Sequence, residues 1–340
     1  MSDNMYQLLH LMAQQDDVDG LRRLVLEEGI PVNSACAQGF TPLHMAVYFE
    51  NRAAMRALVE LGGNVSAKNV NGTTPLIIAA MKEVLYATSC LLDCGASLNE
   101  RDHSGGTALL KATMHNTKSA TLLLQHRADP RLVNNVGESP LYYAVQHKNP
   151  NLVQHLIDAN VDVNLQTEKG RTALHMAVYK DNPFVVRQLC AAGADVHAVC
   201  MDGCTAVYVA VLLGHWNVVC ALHESGANLH VVDAAGFSLL HTAVDRGHND
   251  VLLYLIRNNV DMHTKCIEDG STALHAAVKN RHSTAVSMLC EANADVNAQD
   301  GQGYTPLAFA DGECRDILLA HNKPAQAMIA QFSFECDATP

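Results

Sequence analysis

The sequence predicts an all-α fold, a solenoid of about ten helix pairs with hairpin-like loops between the pairs. Three observations carry that prediction. A Thr- or Ser-led string returns nine times along 340 residues at an almost fixed interval. The second apolar segment of most copies stops at Gly or Asn. Aromatic residues make up only 5% of the chain, so Ala, Val and Leu do most of the filling, which suits helices packed close together.

The strings run Thr41-Pro42-Leu43-His44-Met45-Ala46, Thr74-Pro75-Leu76, Thr107-Ala108-Leu109, Ser139-Pro140-Leu141, Thr172-Ala173-Leu174-His175, Thr205-Ala206-Val207, Ser238-Leu239-Leu240-His241, Thr272-Ala273-Leu274-His275 and Thr305-Pro306-Leu307. Successive intervals are 33, 33, 32, 33, 33, 33, 34 and 33 residues. Each string reads as a helix start. The hydroxyl can accept a backbone N–H, and Pro fits the first turn without losing a needed donor. A turn follows, as at Gly214-His215 or Gly247-His248, and then a second apolar helix such as Val251 to Ile256. That helix stops at Gly62, Gly95, Asn160, Gly193, Gly226, Asn259 or Asn293, residue types that tolerate left-handed backbone. A short extended piece (Ala194-Asp195-Val196-His197) and a Gly-containing turn (Asp202-Gly203) complete the unit.

The unit resembles the ankyrin repeat, whose marks are a T-P-L-H-x-A string and a G-A-D-V-N string at a period of about 33 residues. Ala192-Gly193-Ala194-Asp195-Val196-His197 and Asn293-Ala294-Asp295-Val296-Asn297 match the second mark. The resemblance covers residues 5 to 322 and implies one array over 1–322. Within it, a capping repeat spans 4–37, full repeats span 38–301 and a truncated repeat spans 302–322, leaving 323–340 as a capping helix or tail. The 32-residue copy loses a residue near Thr113 to Thr117, which predicts a tightened turn, and it carries Arg127 where Gly is usual. The 34-residue copy gains one near Ile267 to Asp269, which predicts a protruding hairpin tip. In the last copy the second helix (Glu313 to His321) is expected to be short. Pro324 to Phe332 is then expected to cover the end of the stack with Met328, Ile329 and Phe332.

Composition narrows the function. Net charge is −12, and no Lys/Arg cluster offers the basic face that a nucleic-acid reader needs. Eleven cysteines without framework spacing, and a start (Met1 to His10) lacking a basic leader, point to reduced thiols in the cytosol, with the nucleus as a second setting. The most apolar stretch, Ala206 to Leu222, is broken by Gly214, His215 and Asn217, so it reads as core and not as a membrane span.

No catalytic constellation emerges, and the chain is expected not to be an enzyme and to need no cofactor or metal. Four of the 18 histidines, His44, His175, His241 and His275, hold the same slot of the repeated string, which marks them as architecture orienting the hairpin. His197, Cys200, Cys204 and His230 approach a zinc spacing but lack a paired C-x-x-C. Cys90 and Cys94 stand one helical turn apart, and Cys190 and Cys290 sit at equivalent apolar positions as small core residues. No nucleophile elbow, phosphate-cradling Gly loop, H-E-x-x-H or kinase string is present.

Asn33, Asn99, Asn164, Asn297, His197, His230 and His263 fill one hairpin slot, most with Leu eight residues upstream. Ankyrin repeats with that pattern resemble substrates of an oxygen-dependent asparaginyl hydroxylase, which makes Asn164 and Asn297 the best modification candidates. The plainer role of the slot is to tie the hairpin by side-chain hydrogen bonds. In a stacked array the second helices form a convex back, and first helices and hairpin tips line a groove. Partner contact is therefore expected at Phe40, Tyr48, Phe49, His115, His147, Tyr179, Lys180, Leu212, Leu213 and Tyr304, with Phe237 packing on its hairpin and Trp216 packing between helices. The expected function is a monomeric scaffold that holds a protein or peptide. Its alternatives are a substrate receptor of a ubiquitin ligase, for which the 18 residues after Asn322 show no recruiting box, and an inhibitor masking a signalling protein or transcription factor.

Overall fold

A computed structural model describes residues 2–116, 118–233 and 235–322, with side chains from residue 6 onward. The expected capping segment, 324–332, lies outside the described residues. The described chain is an all-α repeat solenoid with no strand, only isolated bridges at Val199–Thr205 and Val232–Ser238. Its helices are α1 (Ser2–Gln15), α2 (Val18–Arg22), α3 (Pro42–Tyr48), α4 (Arg52–Glu60), α5 (Pro75–Met81), α6 (Leu85–Asp93), α7 (Ala108–Met114), α8 (Ser119–Gln125), α9 (Pro140–Gln146), α10 (Pro150–Asp158), α11 (Ala173–Tyr179), α12 (Pro183–Ala191), α13 (Ala206–Leu213), α14 (Trp216–Glu224), α15 (Leu239–Asp245), α16 (Asn249–Arg257), α17 (Ala273–Lys279), α18 (Ser283–Glu291) and α19 (Gly312–His321). Two compact units result, Met1–Met176 and Ala177–Pro340.

Each first helix starts at the repeated hydroxyl. Thr74, Thr107, Ser139 and Thr205 accept the amide three residues on with their side-chain oxygens. The second helices α4, α6, α12 and α14 close in left-handed backbone at Gly62, Gly95, Gly193 and Gly226, and α10, α16 and α18 at Asn160, Asn259 and Asn293. In the first unit α3, α5, α7 and α9 stack in series, as do α4, α6, α8 and α10. The second unit repeats this with α13, α15 and α17 beside α12, α14, α16 and α18. Leu58, Leu91, Leu123, Leu156, Leu189, Leu222, Leu255 and Leu289 fall once per repeat and are fully buried. Burial of each is worth about 1.5–3 kcal/mol, and none finds cover within its own helix pair alone.

The hairpin tips are joined by backbone hydrogen bonds. In the first unit the carbonyls of Gln38, Asn71, Ser104 and Val136 accept the amides of Val70, His103, Asn135 and Glu168 at 2.9–3.0 Å. In the second, Ala235 and Asp269 accept from Ile267 and Gly301 at 2.8 and 2.7 Å. Gly39 shows why the tip carries glycine: it has φ +76°, and a Cβ there would lie 2.8 Å from the Val70 amide nitrogen.

Three details differ from the sequence reading. The piece after each second helix is a turn and not extended chain, because the Asp195 carboxylate accepts the His197 amide at 2.9 Å. In the 32-residue copy the deletion shortens α8 to seven residues, where neighbouring second helices have nine, and does not simply tighten the turn. Arg127 nonetheless takes the left-handed closing position, with φ +67°. In the last copy the first helix is the short one. It is a single 3₁₀ turn, Pro306–Phe309, ended by extended backbone at Ala310, while α19 has ten residues. The insertion at Ile267 does protrude: that side chain is 76% exposed, and the Gly270 amide reaches one residue further back than in other tips, to the Cys266 carbonyl.

Ser119, at the start of the shortened α8, occupies the slot that Ala54 and Ala87 fill in the two preceding repeats. All three are fully buried, and the Ser119 hydroxyl has no hydrogen-bond partner. An unpaired buried hydroxyl costs about 1–3 kcal/mol. Ser119→Ala is therefore expected to raise stability by ~1 kcal/mol, read as a higher urea midpoint at unchanged slope.

Candidate partner-binding surface

The first helices are only seven or eight residues long, so one side packs on neighbouring repeats and the last residues run out past the core. Tyr48 closes α3 and Phe49 caps it, with 49% and 40% of their surface exposed. Their rings meet edge to face with centroids 5.2 Å apart. Lys82, from the next repeat, places its ammonium 4.0 Å from the Tyr48 ring centre and donates to the Tyr48 carbonyl. The pair is thus held in one orientation while remaining open to solvent. Beside α1 and α3 a depression of about 590 Å³ is lined by Tyr6, His10, Leu11, Gln14, Cys36 and Met45.

Other expected contact residues fall into separate groups. Tyr179 and Leu213, at the ends of α11 and α13, are exposed, and Lys180 and Leu212 beside them are half-buried. His115 is exposed at the end of α7. Phe40 is half-buried edge-on against His44, and Phe237 repeats this against His241, both with centroids 5.6 Å apart. Tyr304 is half exposed against Phe309, over which Lys279 places its ammonium at 4.8 Å. His147 donates through Nε2 to the Met114 carbonyl at 2.7 Å, so it is tied to the preceding repeat.

That bond belongs to a set the sequence reading passed over. His215, His248 and His282 each reach back to a first-helix carbonyl of the repeat before, those of Val178, Leu212 and Val244. The spacing of 33 and 34 residues between these three was the available signal. The other set, in the Thr-led string, lies deeper. His44 Nδ1 accepts the Thr41 amide at 3.0 Å, and its Nε2–H donates to the Thr73 carbonyl of the next hairpin at 3.1 Å. His241 and His275 make the same link to the carbonyls of Ser271 and Tyr304. Burial pushes His44 down to about 4, against only partial relief from the Thr73 carbonyl. His241 and His275 are lowered for the same reason. Both ring nitrogens are already spoken for in the neutral form, and a second proton would face the Thr41 N–H.

Two ion pairs stiffen the hairpin side. Lys111 lies 2.9 Å from Asp102 with both side chains largely buried, and Lys279 lies 2.8 Å from Asp269. Burial alone would raise Asp102, but hydrogen bonds from Ser104, Lys111 and the Gly106 amide outweigh it and hold the carboxyl below its ordinary value. Asp269 is held low by bonds from Cys266, Lys279 and Ser271.

A family model described as "Ankyrin repeats (3 copies)" matches residues 9–102, 85–167, 141–233 and 240–327. The chain belongs to the ankyrin-repeat family. Ankyrin repeats form a protein–protein interaction module, and the fold is typically non-catalytic. Similar segments occur in proteins of different kinds. The chain is 38% identical over 65 residues, 18% of its length, to ankyrin repeat protein 14 of vaccinia virus, covering 27% of that protein. It is 40% identical over 62 residues, 17% of its length, to potassium channel AKT1 of indica rice, covering 7% of that protein. An ankyrin repeat domain-containing protein of monkeypox virus shares 36% identity over 69 residues, 19% of this chain and 10% of the viral one.

Within the ankyrin frame the near-zinc spacing resolves into hairpin contacts. The Cys200 thiol faces the Asp202 carboxylate, and Cys204 faces the Asp202 carbonyl. Among the described residues no group of three or more His, Cys, Asp or Glu is placed to hold a metal ion. Also among them, no helix is long and apolar enough to cross a membrane, since Gly214 separates α13 from α14 in left-handed backbone. Trp216 is more open than expected for a packing residue, 45% exposed beside Leu253, Tyr254 and Arg257. At the modification slot Asn33 and Asn99 use their side-chain oxygens to accept amides of the next hairpin, from Asn64 and Asp129. Asn164 and Asn297 are exposed there.

Proposed function

We propose that this ankyrin chain is a non-enzymatic, monomeric scaffold of the cytosol or nucleus that holds a protein or peptide on the face made by its first helices and hairpin tips. The observation that carries the reading is the Tyr48–Phe49 pair, two open aromatic rings packed edge to face, with Lys82 over the Tyr48 ring. Rigid, exposed aromatics lose little freedom on binding and dominate interface energies. The net charge of −12 favours a protein or peptide over nucleic acid as occupant.

Affinity capture from cells with the wild-type chain and with a Tyr48→Ala/Phe49→Ala variant tests this. Partners are expected to be lost at least tenfold by the variant, at unchanged circular dichroism. An identical set on both baits would refute the assignment. Asn164 and Asn297 extend the reading as hydroxylation sites, supported by their exposure on hairpins that resemble hydroxylase substrates. Co-expression with such a hydroxylase is expected to add about 16 Da to peptides carrying them, and unmodified peptides would remove the idea.

A further inference from the structure

The second helices of the first unit carry an arrangement that repeat packing does not require. α2, α4 and α6 border a shallow depression of about 340 Å³ lined by Val18, Arg22, Arg52, Arg56, Glu60 and Tyr86. The guanidinium carbon of Arg52 lies 4.1 Å from the centre of the Tyr86 ring, and that of Arg56 lies 5.6 Å from the same centre. Arg22 is already paired with Glu60, at 3.0 Å. Arg52 and Arg56 have no carboxylate partner among the described residues.

One turn apart on α4, these two cations repel each other, while the ring's electron-rich face attracts both. The result is a pocket of positive charge on a chain whose net charge is −12. A carboxylate is satisfied by one guanidinium fork. A phosphorylated side chain, with nearly two negative charges and three acceptor oxygens, can take two forks at once and relieve their repulsion. The depression is the size of a side chain and not of a folded surface. The acidic body around it opposes a long polyanion. We propose that Arg52 and Arg56, set against Tyr86, form a receptor for a phosphorylated residue of a partner peptide, on a face separate from the first-helix surface.

The test uses the full chain and a fluorescent peptide library with a central phosphoserine and randomised flanks. Parallel libraries carry Ser or Glu at the centre, and a single-stranded oligonucleotide is included. The phosphoserine library is expected to bind at least tenfold better than the Ser library. Arg52→Ala/Arg56→Ala is expected to abolish that preference with circular dichroism unchanged, and Arg52→Lys/Arg56→Lys to restore it only in part. Arg187→Ala/Arg257→Ala, which removes two positive charges from the second unit, is expected to leave it intact. Equal binding of Ser and phosphoserine, equal loss in the two alanine variants, or preference for the oligonucleotide would each overturn the proposal.

Discussion

Acidification from pH 7 to 5 is expected to lower the stability of the chain, by about 2 kcal/mol from His44 alone. The cause is the buried histidine set. His44 has an ordinary value of 6.5 and is held near 4 when folded. Between those values the unfolded chain takes up a proton that the folded chain refuses, so stability rises with pH across that window and is lost as pH falls through it. Below about 4 both states are protonated and the loss levels off. For His44 alone the difference amounts to ~3 kcal/mol. His241 and His275 act in the same direction. Asp102 and Asp269 add a second loss below their ordinary value of 3.8, because both carboxyls are held lower than that in the folded chain.

Urea midpoints at pH 7, 6 and 5 would show the slope. His44→Gln separates its source. Gln at this position can still accept the Thr41 amide, as in other capping boxes, but does not titrate. The variant is expected to lose ~1 kcal/mol at pH 7, from the missing Thr73 link, and to show a flatter pH dependence. A slope as steep as wild type would acquit His44.

Gly39→Ala and Gly270→Ala are expected to cost at least ~3 kcal/mol each, while Gly303→Ala costs ~1 kcal/mol. All three glycines have positive φ, so the backbone penalty is shared. The difference is the neighbour. A Cβ on Gly39 would meet the Val70 amide nitrogen at 2.8 Å, and one on Gly270 would meet the Gly301 nitrogen at 2.6 Å. At Gly303 it would meet nothing within 4 Å. Those amide nitrogens are hydrogen-bonded to the preceding tip, so relief means opening the ladder between repeats. Thermal unfolding of the three variants side by side would separate stacking from backbone strain, and equal losses would show that the ladder adds nothing.

The period of the fold was legible because every copy solves the same problem. Leu58, Leu91 and their successors, the hydroxyl helix starts and the Gly or Asn stops are imposed by packing and backbone, and each recurs in phase. The other left-handed site, between the two helices of a pair, was legible at Gly214 and Gly247 and, as Asn or Asp, at Asp16, Asn116 and Asp181. Elsewhere Glu50, Glu83, Lys148 and Arg281 adopt it, residue types that do not announce it. The geometry around the proposed contact residues was half legible. The exposure of Tyr48 and Phe49 follows from their place at a helix end, but Lys82 arrives from the next repeat and is invisible from either string alone. The Arg52–Arg56–Tyr86 cluster was missed for the same reason: two helices from different repeats build it, and its charge vanishes in a net acidic total.

The shortened α8 reaches beyond its own loop. Its repeat carries an orphaned hydroxyl at Ser119 and a non-glycine residue, Arg127, in a costly backbone state. In a stack where each module leans only on its neighbours, cohesion is limited by the poorest junction, as a zipper parts at its damaged tooth. Residues 107–131 should therefore exchange amide protons soonest within the first unit, so that gentle warming yields a chain opened in the middle with ordered flanks on either side.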